Sequence, residues 1–211
     1  MAILKHSDQG SITGAIGPVT VYQSKGQSIV RKRRNIGGKP STEKQLSRQQ
    51  RIKLVVDFLR PIKEFTYAGF RDVDRAAGVS IYNVVTSELL RNAITGTYPA
   101  QEIDYKNVIL SKGALKTAIG ASVSAIDGEL IFHWIRTAGD FNSTDRVMLM
   151  AYCPELKEAA YEISGAKRMV GTAILTLEKS WQGKYVETYI SFRSEGKKIS
   201  ANSFYTGNLK I

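Results

Sequence analysis

The spacing of apolar residues changes period along the chain. Residues 14–30 hold short β-prone runs punctuated by glycine, residues 43–94 repeat apolar positions at helical spacing, and from Ile119 onward the alternation is two. In the first stretch, Val19–Tyr22 and Gln27–Val30 flank Ser-Lys-Gly, which predicts a hairpin with Gly26 in the turn. Two strands alone are marginal in water, so this hairpin calls for another surface, in its own chain or in a neighbour. Ser41 and Thr42 then offer a helix N-cap, and Thr42-x-x-Gln45 matches a capping box. The helix is expected to run to about Leu59, where Pro61 stops it.

Within that helix Ile52, Val55 and Leu59 share a stripe with Lys44, Arg48 and Arg51, basic in the first turns and apolar later. Two readings stay open. Either the helix projects beyond its own core there, or the long stems lie along a domain edge with their charged heads in water. A short helical continuation carries Ile62, Phe65 and Phe70. A cleaner helix over Ser80 to Ile94 places Ile81, Tyr82, Val85, Leu89 and Ala93 on one arc, with Gly96 as the residue after its end. Residues 97–118 read as a connector with one apolar run, Val108–Leu110.

The period-two region predicts strands at Ala121–Ala125, Leu130–Arg136, Arg146–Cys153, Ala159–Ile163, Thr172–Leu177, Lys184–Arg193 and Lys198–Tyr205, with Asp127-Gly128 turning the first into the second. Seven short strands separated by turn signals argue for an antiparallel β-sandwich of immunoglobulin-like type, with Trp134 as its central aromatic. The second and third strands are apolar on both faces, whereas an antiparallel sheet facing water shows one polar face. Their outer faces are therefore expected to be covered by the helical unit, the hairpin or another subunit. The expected class is α+β: a Gly-rich hairpin and basic arm (1–40), a helical unit (41–96), a connector (97–118) and a β-sandwich (119–211).

Charge adds a location. The net charge is +11, and residues 1–60 carry 12 Lys/Arg against 3 Asp/Glu, while 121–211 carry 11 against 10. A surplus confined to one segment points to a localised anionic partner. Candidate partner- or phosphate-binding residues are Arg31, Lys32, Arg33, Arg34, Lys39, Lys44, Arg48 and Arg51, contiguous through a hinge into a helix N-terminus. A solvated surface is the bland counterpart of that reading. No aromatic residue lies between Arg31 and Arg51, so stacking on single-stranded bases is not supported.

Other chemistry finds little footing. Gly37-Gly-Lys39-Pro40-Ser41 fails as a phosphate loop, because Arg33 stands where glycine is needed and Pro40 where Ser or Thr is needed. His133, in an apolar strand, reads as a satisfied packing residue, and the single Cys153 as a core residue with no disulfide partner. Asp72/Asp74 and Asp127/Glu129 read as turn or cap carboxylates. Neither catalytic residue, cofactor, metal site nor small-molecule substrate is expected. No run of roughly 18 apolar residues spans a membrane, and Lys5, His6 and Asp8 break any secretory signal, so synthesis is expected in the cytoplasm.

Several motifs carry a resemblance. They include Gly14-x-x-Gly17-x-Val19, Lys39-Pro-Ser-Thr42 with Gln45, Phe58-Leu-Arg-Pro61, Ala93-Ile-Thr-Gly96 with Tyr98-Pro99, Trp181-x-Gly183, and the closing Ser203-x-Tyr205-x-Gly207. Through them nearly the whole chain resembles a domain-of-unknown-function family common in Bacteroidetes. The resemblance implies a fibronectin-type-III-like C-terminal domain and brings no catalytic residues; the run Arg31–Arg34 is more basic than the family pattern. The N-terminal segment is also loosely similar to short proteins encoded among phage structural genes. Together these readings predict a non-enzymatic, self-assembling subunit of a virion-like or filamentous particle, a homo-oligomer contacting its neighbours through the basic arm. A nucleic-acid-binding protein using that arm on phosphates is the alternative.

Overall fold

The computed structural model describes residues 2–4, 13–24, 26–33, 40–73, 76, 78–138 and 144–211. The chain falls into two compact units, 1–42 and 43–211. In the first, the expected hairpin is present as β3 (Val19–Ser24) and β4 (Gln27–Lys32), turning at Gly26 with φ +76°. The surface it needs comes partly from its own segment. β2 (Gly14–Ile16) pairs with β3, and β1 (Ala2–Leu4) pairs with β4, giving a four-stranded antiparallel sheet in the order β1-β4-β3-β2.

The second unit opens with α1 (Glu43–Leu59), α2 (Lys63–Gly69) and α3 (Ile81–Asn92). Ser80 caps α3 as expected, its hydroxyl accepting from the Asn83 amide at 3.2 Å. Gly96 is not the residue that ends α3: the helix closes at Ala93, whose amide donates to the Leu89 carbonyl. Gly96, at φ +78°, instead turns β5 (Ile94–Thr95) toward β6 (Glu102–Ile103), where the Ala100 carbonyl leaves no room for a side chain. The buried row of α1 is Val55, Phe58 and Leu59, while Ile52, expected in that row, is 43% exposed. The reason is the helix's angular setting: its inward stripe continues N-terminally through Ser47, Gln50 and Arg51, which displaces Ile52 toward solvent.

The rest is mostly antiparallel sheet. β7 (Ser122–Ile126), β8 (Glu129–His133) and β11 (Thr172–Thr176) form a three-stranded sheet in the order β11-β8-β7. β9 (Arg146–Cys153), β10 (Glu158–Glu162), β12 (Tyr185–Arg193) and β13 (Phe204–Lys210) form a four-stranded one, β10-β9-β12-β13. The last strand lies later than its alternation suggests. Residues 198–203 instead fold back on the end of β12, with Ala201 donating to the Phe192 carbonyl, and β13 bulges at Thr206, between Gly207 opposite Thr188 and Tyr205 opposite Tyr189.

β9 and β12 sit at the centre of two cores. Val147, Leu149, Val186, Ile190 and Phe192 close with Leu130, Phe132 and Trp134 of the three-stranded side in one buried cluster. From the opposite face of the same strands, Met148, Met150, Tyr152 and Tyr189 pack with Val55, Phe58, Leu59, Val85 and Leu89 of the helices. This explains the apolar faces of the third predicted strand: the helical layer covers its outer side. The second predicted strand, β8, is different. Leu130 and Phe132 are buried, but Glu129, Ile131 and His133 point away from the core, and among the described residues no layer of this unit lies over them.

Candidate interaction surfaces

Arg31 and Lys32 close β4, Arg33 follows, and all three are exposed. Their cross-strand neighbours are Thr20 and Val19, and residues 13–33 include no Asp or Glu, so the strand end carries charge without a carboxylate nearby in sequence or register. Arg34 and Lys39 lie outside the described residues. Lys44 and Arg48 are exposed on the first two turns of α1, in the second unit.

Arg51 differs from the rest of the predicted set. It is half-buried, and its Nη2 donates to the Leu90 carbonyl in the last turn of α3, where the helix leaves carbonyls without internal partners. Two neighbouring contacts hold the same part of α1. Gln50 Nε2 donates to the Pro99 carbonyl at 2.7 Å, and Gln101 Nε2 donates to Ser47 Oγ at 3.2 Å. The polar start of the α1 stripe thus docks on the 97–101 turn and on the end of α3, and Arg51 is occupied there.

Sequence reasoning missed three buried polar locks. Arg168, 3% exposed, donates to the carbonyls of Lys116 at 2.7 Å and Thr117 at 3.1 Å, and its guanidinium lies 4.2 Å above the Phe192 ring. Trp134 Nε1 donates to the Arg168 carbonyl at 2.7 Å. Glu187, 8% exposed, accepts from Tyr205 Oη at 2.6 Å and Asn208 Nδ2 at 2.9 Å. Ser111 Oγ donates to Ser191 Oγ and to the Ala201 carbonyl. Around the second lock, burial pushes Tyr152 up to about 12, with Cys153 and Asp57 adding to the shift. Burial also raises Tyr105 and, together with the Glu187 hydrogen bond, Tyr205. These tyrosines stay protonated at neutral pH.

Two further surfaces stand out. A groove of about 630 Å³ beside α2 is lined by Lys63, Tyr67, Arg71, Ile81 and Lys198, none of them in the predicted basic set. The outer face of the three-stranded sheet forms a grid of nine side chains, set by register into three rows. Thr172, His133 and Ser122 make the first row; Ile174, Ile131 and Ser124 the middle one; Thr176, Glu129 and Ile126 the third. Ile174 is 56% and Ile126 53% exposed. His133, expected to be packed, is exposed here because β8 turns its even-numbered residues, not its odd ones, to the core. Cys153 is buried, as expected of a core residue.

Among the described residues no three His, Cys, Asp or Glu side chains gather in a metal-binding group, and no helix is long and apolar enough to cross a membrane. The arrangement is that of a mixed α and β protein whose conspicuous features are exposed faces and internal locks. The chain belongs to the DUF6266 family of unknown function, whose pattern matches residues 10–207. No curated protein matches it significantly.

Proposed function

We propose that this chain is a non-enzymatic structural protein, a self-assembling subunit of a virion-like or filamentous particle, with its basic N-terminal segment contacting neighbouring molecules. The observation that carries the reading is the end of β4: Arg31, Lys32 and Arg33 stand exposed together, with no carboxylate among residues 13–33. Charge held this way is available to an anionic surface rather than used in folding. The second unit is read as an immunoglobulin/fibronectin-III-like sandwich, supported by seven strands ordered β11-β8-β7 and β10-β9-β12-β13 around one shared cluster.

The same strand end favours a second reading, phosphate binding, and one experiment separates the two. Light scattering of the full chain is run with and without duplex DNA across a salt series, for the wild type and for a variant with Arg31, Lys32, Arg33 and Arg34 replaced by alanine. If the segment contacts a neighbouring subunit, the substitutions lower the assembled mass and DNA binds weakly. If it binds phosphates through about 4–6 contacts, log affinity falls with log salt at a slope near −4 to −5, and the substitutions flatten it by about three to four units. Assembly and DNA binding that both survive the quadruple substitution refute both readings.

A further inference from the structure

Among the described residues of its own unit nothing covers the outer grid of the three-stranded sheet, and the grid's composition indicates what does. Of its nine side chains none is Lys or Arg, in a chain with net charge +11. Two copies of so basic a chain repel over most approaches, and this face is where that repulsion is least. Its two titratable side chains sit at opposite ends of β8: Glu129 in one outer row, His133 in the other, with Ile131 between them. Glu129 also accepts from Thr176 Oγ1 at 3.3 Å, which keeps the carboxylate on this face.

That order is self-complementary. In a face-to-face pair related by a two-fold axis running across the strands, strand directions reverse while each strand still meets its own copy. Ile131 then meets Ile131, Ile174 meets Ile174 and Ser124 meets Ser124, while each Glu129 faces the other copy's His133. An axis along the strands would instead set Glu129 on Glu129. Resting on the proposed assembly and adding the surface it uses, we infer that the outer face of β7, β8 and β11 is a homotypic contact, formed with a second copy of this chain through two reciprocal Glu129–His133 pairs around an isoleucine centre.

The size of the face sets its strength. A stable interface of about 800 Å² per partner uses roughly 20–30 residues a side, so nine residues supply about 300 Å². A contact of that size is weak as a single pair and gains through repetition in an assembly, so it is sought at high protein concentration.

Two measurements test it on the full chain. The only native cysteine is buried, so a Ser124→Cys variant carries one accessible thiol. A short bis-maleimide is expected to trap it as a covalent dimer, and a Gln49→Cys control on α1 is expected to remain monomeric. Sedimentation then follows Glu129→Lys and His133→Glu, both at the surface and neither in the core. His133→Glu sets carboxylate against carboxylate twice per pair, Glu129→Lys removes the carboxylate that each His133 meets, and each is expected to weaken self-association about tenfold. An equimolar mixture of the two variants restores it. Between unlike copies, the introduced lysine of one meets the introduced glutamate of the other, and the native His133 of the first meets the native Glu129 of the second.

Assembly that occurs without Ser124→Cys trapping, with trapping equal in the control, or without rescue in the mixture overturns this contact and leaves the assembly reading standing. Cross-linking of Ser124→Cys to the N-terminal sheet of another copy, or to a different protein only, overturns it as well. A chain that stays monomeric at every concentration overturns both.

Discussion

Arg168 offers a sharp test of how the fold is held, because a charged side chain 3% exposed must be matched by its surroundings. Two charge-assisted hydrogen bonds, to the Lys116 and Thr117 carbonyls, tie the 116–117 segment to the core, and the Phe192 ring supports the guanidinium from below. Asp145 Oδ2 lies 4.0 Å away, at the limit of an ion pair. Replacing Arg168 by alanine removes both bonds, strands two carbonyls and leaves a cavity beside Phe192. Two hydrogen bonds to a charged group, at roughly 1.5–3 kcal/mol each, put the cost at about 3–5 kcal/mol.

Urea unfolding followed by tryptophan fluorescence is well suited to it, since Trp134 and Trp181 are both buried in the cluster concerned. With an m-value near 2 kcal/mol/M, the midpoint should fall by roughly 2 M. Arg168→Lys keeps the charge but lacks the planar fork that serves two carbonyls, so it is expected to lose most of the same stability. A loss below about 1 kcal/mol for alanine, or a lysine variant as stable as the wild type, would falsify the view that the fork holds this segment in place.

Two further predictions concern the helical side of the four-stranded sheet. At Gly69, a Cβ would stand 2.5 Å from Ser111 Cβ and 2.6 Å from the Leu110 carbonyl, so Gly69→Ala should cost about 1–3 kcal/mol; a thermal melt lowered by several degrees is expected, and an unchanged one contradicts the close approach. Burial holds Tyr152 up to about 12 against an ordinary 10, so the folded state keeps its proton where the unfolded state loses it. The stability this tyrosine contributes is complete below pH 10 and is lost as the pH climbs through 12. Absorbance at ~295 nm should show the buried tyrosines ionising later than the exposed ones or together with unfolding; simple titration of all of them near pH 10 rules the burial effect out.

The parts of this fold legible in the sequence are those where one residue sets a local geometry or where alternation is long. Gly26 sets the β3–β4 turn, Ser80 sets the start of α3, and the eight-residue alternation of Arg146–Cys153 sets β9. β1 and β2 are illegible because three residues each leave no period to read. The position of β13 is hidden because Gly207 and Asn208 look like a turn locally, whereas they pair with Thr188 and Glu187 beyond a bulge at Thr206 of β13 itself. Ile52 faces away from its expected side because α1 is oriented by Ser47, Gln50 and Arg51, whose partners at Leu90, Pro99 and Gln101 are distant in sequence. The basic set is legible as composition, yet only contact with Leu90 separates Arg51 from the exposed Arg31, Lys32, Arg33, Lys44 and Arg48.

Two-faced strands carry the remaining lesson. β8 and β9 show the same apolar alternation, Ile131 and His133 beside Phe132 in one, Met148 and Met150 beside Leu149 in the other. The same physics demands a cover for both, since an apolar outer face left in water forgoes burial worth about 25 cal/mol per Å². For β9 the cover is intramolecular: Phe58, Leu59, Val85 and Leu89 lie over it. For β8 no described helix of the unit reaches that side, and Ile174 beside it remains 56% exposed. Two strands with one sequence signature thus have different solutions within a single chain. The difference is where the described helices of the unit stop: they reach one face of β9 and not the outer face of β8.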